Sequence, residues 1–148
     1  MKYKLTEETK EHFGRTLHRI VCVTAFANVA AGEFGGWIES EKNLDHCGDA
    51  WVYGDAKVYG DAEVYGDAEV SGNAWVSGNA DYIVLKNNWS SGRYFTYTLS
   101  NKMWKVGCFF GTGEELIKKA YKDSELSGKC YEASVKYVEE LLRIKEAK

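Results

Sequence analysis

Residues Gly48 to Ala80 read GDAWVY, GDAKVY, GDAEVY, GDAEVS, GNAWVS, GNA, a six-residue unit repeated five times with the start of a sixth. Valine returns at 52, 58, 64, 70 and 76, and alanine stands two places earlier each time. Residues two apart on an extended strand share a face, so Ala and Val are expected to point inward. The residues between them, Trp51, Lys57, Glu63, Glu69 and Trp75, then point outward. Each Gly-Asp or Gly-Asn pair supplies a corner, because glycine accepts positive φ and Asp or Asn tolerates it. Short flat segments joined by sharp bends follow.

A hexad recurring without helical insertions is the mark of a solenoid. The pattern aliphatic, x, Gly, Asp/Asn, Ala, x resembles the hexapeptide repeat of left-handed parallel β-helices, in which three hexads make one triangular coil. That resemblance implies stacking at a spacing of 18, with Val52 on Val70, Val58 on Val76 and Ala50 on Ala68. The valines are too few to offset the entropy of ordering the whole repeat, so two coils need caps or an oligomer. The expected fold class is mainly β with α: a short left-handed parallel β-helix between an N-terminal β cap and a C-terminal meander with two helices.

The flanks fill in three expected units. Residues 1–25 hold two strand-like runs around Gly14 and form the N-terminal β cap. Residues 26–80 hold the β-helix, beginning with an irregular coil through the glycines at 32, 35 and 36. Residues 81–148 form an α+β cap, in which DYIVLKNN, RYFTYTLS and MWKVGCFF predict a three-stranded antiparallel meander. Thr112 and Glu115 have the spacing of a capping box opening a helix to about Lys122. Tyr131, Val135, Val138, Leu141 and Leu142 form the apolar stripe of a second, from about Gly128 to Ile144.

Charge and targeting signals narrow the function classes. A net charge of −3 over 148 residues leaves no basic footprint for direct nucleic-acid binding. No signal peptide or membrane-spanning run is evident, and four cysteines without a CxxC suit reduced thiols. The expected setting is the cytoplasm of a bacterial cell, away from any membrane. No cofactor and no metal site are expected, and no catalytic residue is assigned.

Aromatic and basic side chains carry the functional expectation. Trp51, Tyr53 and Glu69 belong to one outward face of the hexads, and Tyr59 and Trp75 to the next. The meander adds Trp89, Arg93, Tyr94 and Lys105, an aromatic-basic set of the kind that stacks bases or nucleotides. Trp51, Tyr53, Tyr59, Trp75, Trp89, Arg93, Tyr94 and Lys105 are the eight residues of the expected binding set, since Trp, Tyr and Arg dominate interface energetics. The corner aspartates Asp49, Asp55, Asp61 and Asp67 fit turn chemistry, with imitation of nucleic-acid phosphates as the alternative.

A narrower resemblance rests on YKLTEETKEHFGRTLHRI, GGWIESEKNL and the segment from WSSGRYFTYTLS to GTGEELIKKAY. Together with the hexads these are similar to small hexapeptide-repeat proteins encoded by phages and prophages. The resemblance implies a non-enzymatic protein that inhibits or sequesters a host factor, with anti-CRISPR-like counter-defence or capture of a signalling nucleotide as examples. The expected partner is a host protein or a small nucleotide ligand, and a homodimer or homotrimer is possible on the family pattern. Two alternatives stand: a trimeric acyl-CoA-dependent acyltransferase using His46, with His12 and His18 as weaker bases, and a self-assembling structural β-solenoid.

Overall fold

The computed structural model describes residues 1–147, so the C-terminal unit read as 81–148 ends one residue outside the described residues. Strands β1 (Tyr3–His12) and β2 (Arg15–Cys22) form an antiparallel hairpin, and β3 (Phe34–Ile38) pairs antiparallel with β2. The hairpin turns at Phe13 and Gly14, both at positive φ, as a two-residue connection between right-twisted strands requires. The hexads supply β4 (Trp51–Val52), β5 (Lys57–Val58), β6 (Glu69–Val70) and β7 (Trp75–Val76). β5 pairs parallel with β3 and β7, giving a five-stranded mixed sheet in the order β1-β2-β3-β5-β7. β4 and β6 form a separate two-stranded parallel pair.

Residues 18 apart meet in these pairs: Val52 lies opposite Val70, and Val58 opposite Val76. Each hexad glycine from Gly48 to Gly72 sits at φ between 56° and 74°, so the chain bends after every short strand. Alanines 50, 56, 62, 68 and 74 and valines 52, 58, 64, 70 and 76 are all fully buried.

The architecture nevertheless corrects the expected left-handed parallel β-helix. The two larger sheets are mixed and antiparallel, the one wholly parallel sheet is the β4-β6 pair, and the hexad strands are only two residues long. The third row of hexads contributes a single bridge, Leu44 to Val64, and no strand. Two causes are visible. Corners leave room for only two paired residues per hexad, and β3 continues into the antiparallel N-terminal hairpin where a solenoid would place another coil.

The hairpin is fastened to the first hexad by a buried lysine. Lys2 Nζ donates to Ala50 O at 2.7 Å and lies 4.7 Å from the Phe26 ring centroid. Burial holds its pKa below the ordinary lysine value, against the opposing pull of Asp45 and Asp49.

The C-terminal part is a four-stranded antiparallel sheet, one strand more than expected: β8 (Tyr82–Lys86), β9 (Tyr94–Thr98), β10 (Met103–Val106) and β11 (Phe109–Gly111). The extra strand arises because MWKVGCFF folds back at Gly107, whose φ is 56°. Helices α1 (Gly113–Asp123) and α2 (Glu125–Glu146) cover one face. Thr112 caps α1 by accepting from Glu115 N, while its own N–H donates to the Glu115 carboxylate. Phe95, Tyr97, Trp104, Leu116, Ala120, Tyr131, Val135 and Val138 form this second core.

The opposite face of β8 and β9 meets the hexads, and the contact has a regular chemistry. Along the outer row, the backbone N–H of Glu63 donates to Asn79 Oδ1 at 2.8 Å, that of Glu69 to Thr96 Oγ1 at 3.0 Å, and that of Trp75 to Ser100 Oγ at 2.7 Å. These donors are six residues apart, one per hexad. In the preceding row the equivalent donors, Trp51 and Lys57, bond to the carbonyls of Ala68 and Ala74. The last row has no further hexad to pair with, so three side-chain oxygens terminate it.

Thr96 is buried and Ser100 exposed. Thr96→Val should therefore cost about 1–3 kcal/mol by leaving the Glu69 N–H unpaired. Ser100→Ala should cost less, since water can replace that oxygen. Urea denaturation of both variants checks the order; equal losses would contradict the edge-capping role.

Candidate functional site: a cleft between the hexads and the meander

Strand alternation decides what the meander offers the hexads. Ile83, Leu85, Phe95 and Tyr97 point to the helices, while Tyr82, Val84, Tyr94 and Thr96 take the other face. Beside that face a cavity of about 540 Å³ opens, lined by Asn28, Asp49, Asp67, Glu69, Cys108 and four of the expected binding residues: Tyr53, Arg93, Tyr94 and Lys105. Tyr53 comes from the end of the first hexad, Arg93 from the residue just before β9, Tyr94 from the start of β9, and Lys105 from β10.

Lys105 organises the floor. Its Nζ stands 5.2 Å from the Tyr53 ring centroid and donates to Gly107 O. Burial raises the Tyr53 phenol well above the ordinary tyrosine range, and the Glu69 carboxylate beside it adds to the shift. Burial also raises the Glu69 carboxyl, against the pull of Lys105, the Tyr53 hydroxyl and Arg93. The cleft thus joins two cations, three carboxylates and two phenol rings around one space.

The other expected residues lie elsewhere. Trp51 is fully buried, which corrects its reading as an outward anchor. It does point away from Ala50 and Val52, but Tyr3 and Phe26 cover it edge-on, with ring centroids 6.3 and 5.3 Å away. A Cβ on Gly35 would come within 2.8 Å of its ring, so the neighbouring strand is flat there to admit the indole. Trp89 is half-buried against the second core, edge-on to Tyr131 at 4.9 Å. Tyr59 and Trp75 form a separate aromatic cluster around His12, whose ring lies 5.0 and 4.8 Å from theirs.

The three histidines do not converge. His46 stacks on Tyr3 at 4.1 Å, accepts from Lys2 N through Nδ1 and meets Glu41 Oε1 at 2.8 Å through Nε2. Both ring nitrogens are occupied by structural contacts. His12 packs against Trp75, and His18 faces Thr6 O at 3.4 Å. All four cysteines are free, and no group of three or more His, Cys, Asp or Glu among the described residues is placed to hold a metal. No helix among them is long and apolar enough to cross a membrane.

No family model matches this chain. No curated protein matches it either. The hexapeptide-repeat resemblance, and with it the phage origin and the anti-CRISPR or other counter-defence role, is therefore corrected: neither a matching family nor the sheet topology supports it.

Glu69, Asp67 and Asn28 are cleft residues that the sequence reading did not assign to the site. The spacing of 18 held a usable signal, since Asp67 and Glu69 lie 18 beyond Asp49 and Trp51.

Two measurements test this geometry. Trp51→Ala should lower stability by about 3–5 kcal/mol in chemical denaturation, as a large buried aromatic does; a variant as stable as the parent would return Trp51 to the surface. For Glu69, the folded carboxyl binds its proton more tightly than the unfolded one, whose ordinary value is 4.5. Its contribution to stability is therefore fully present below that value and is lost as pH rises through the raised one. Glu69→Gln should flatten the fall over that window in melts taken against pH, and an unchanged slope would place the titration elsewhere.

Proposed function

We propose that this chain is a non-enzymatic binding protein whose cleft sequesters a small nucleotide-class ligand. The observation that carries the reading is the convergence of Tyr53, Arg93, Tyr94 and Lys105, from three separate segments, around one cavity. Each part of a nucleotide has a complementary group there. Tyr53 and Tyr94 offer faces for a planar base, which stacks on aromatic rings regardless of its identity. Arg93 and Lys105 offer cations to a phosphate. Asp49, Asp67 and Glu69 offer carboxylates to ribose hydroxyls. A free mononucleotide fits the size of the space better than a polymer, and the net charge of −3 disfavours a polyanion.

A second reading, capture of a partner protein, is favoured by a different observation. Phe13 is 73% exposed at the hairpin tip and meets Trp75, 43% exposed, edge-on at 5.3 Å. Large exposed aromatics of this kind anchor protein interfaces.

Titration calorimetry with adenosine and guanosine 5′-monophosphates separates the two. Saturable binding by the wild type is expected, weakened about tenfold or more by Arg93→Ala or Lys105→Ala through loss of a charged contact. Tyr53→Phe should be milder than Tyr53→Ala. Phe13→Ala should leave nucleotide binding unchanged. Absence of binding to either nucleotide sinks the first reading, and a captured protein released by Phe13→Ala would support the second.

A further inference from the structure

Beyond the cleft, on the far side of Tyr94 and Asp67, lies a second concavity of about 420 Å³. Its walls are Tyr65, Tyr82 and Tyr94, with Asp67, Asn79 and Val84 completing it. From the arrangement of three phenol rings about one carboxylate we infer that this concavity is an aromatic cage for a small organic cation carrying a quaternary or alkylated ammonium group.

The chemistry follows from the rings. Aromatic faces carry negative potential and attract a cation within about 6 Å, most strongly where water is partly excluded. Alkylated ammonium groups present an apolar surface that hydrogen-bonding carboxylates alone cannot satisfy, so a cage of rings with one carboxylate matches them. Lys86, which is not one of the lining residues, shows the same preference from outside the cage, its Nζ 5.7 Å from the Tyr94 ring centroid.

The walls are held in place from behind. Tyr82 donates its hydroxyl to Glu63 O at 2.7 Å, and the N–H of Glu63 is in turn fixed by Asn79 Oδ1 at 2.8 Å. Tyr65 is 56% exposed and Tyr94 40% exposed, so their rings remain available to a ligand. Arg93 and Lys105 line the cleft and are not among the residues lining the cage. The ridge of Tyr94 and Asp67 thus divides a side lined by two cations from an aromatic side whose lining residues include one acid.

The test uses choline as the cation and 3,3-dimethylbutan-1-ol, its neutral isostere, on the full chain, followed by tyrosine fluorescence and ligand-observed NMR. Choline should bind saturably and about tenfold more tightly than the isostere, since only the cation gains from the rings and from Asp67. Tyr65→Ala, at an exposed position, should weaken choline about fivefold or more while the thermal melt stays unchanged. Lys86→Met should strengthen it, because it removes the competing cation from Tyr94. Lys105→Ala, which weakens nucleotide binding, should not weaken choline binding, which keeps this outcome separate from that of the nucleotide titration. Equal affinity for choline and isostere, no saturable binding of choline, or indifference to Tyr65→Ala would each overturn the cage.

Discussion

A parallel ladder cannot simply stop. Its last row presents N–H groups that pair with nothing, and in this chain those donors belong to Glu63, Glu69 and Trp75. The side chains of Asn79, Thr96 and Ser100 accept them, and all three come from the segment immediately beyond the hexads or from the meander. This termination fixes where β8 and β9 lie. Once Thr96 is bound to Glu69, strand alternation brings Tyr82, Val84 and Tyr94 against the same side of the hexads. Both concavities exist because that docking leaves gaps on either side of one ridge.

The opposite end of the repeat is closed by different physics. There the cover is apolar and cationic: Tyr3 and Phe26 lie against Trp51, and Lys2 binds the carbonyl of Ala50. Carbonyl acceptors at one end suit a buried ammonium, and N–H donors at the other suit hydroxyl and amide oxygens. The two caps are therefore not interchangeable. An unpaired lysine at this depth would be costly, and the backbone oxygens together with the Phe26 ring compensate it.

Much of the local structure could be read from sequence, and the reason is periodicity. The burial of every hexad Ala and Val, the capping box at Thr112 and the stripe on α2 each depend on neighbours within a few residues. The global fold could not be read in the same way, because whether a repeat continues as a solenoid depends on what joins its edges. Here β3 brings in an antiparallel hairpin, which hexad spacing does not announce. The same distinction explains the site. Tyr53, Arg93, Tyr94 and Lys105 line one cleft, whereas Trp51 was misplaced because its cover lies about fifty residues away at Tyr3. Trp89 was hidden for a similar reason, since Tyr131 reaches it from α2.

The ridge between the concavities gives the two binding readings a common physical basis. Asp67 and Tyr94 face both spaces, and each has a different consequence on each side. Toward Arg93 and Lys105 the Asp67 carboxylate offsets part of the positive charge. Toward Tyr65 and Tyr82 it is the acid among those lining residues, so its field favours a cation. A phenol ring suits both sides because its face stacks on a planar base and also attracts an ammonium group. Opposite charges placed on adjacent concavities would attract each other across the ridge, so occupation of one side should favour the other whenever the two ligands are of opposite sign.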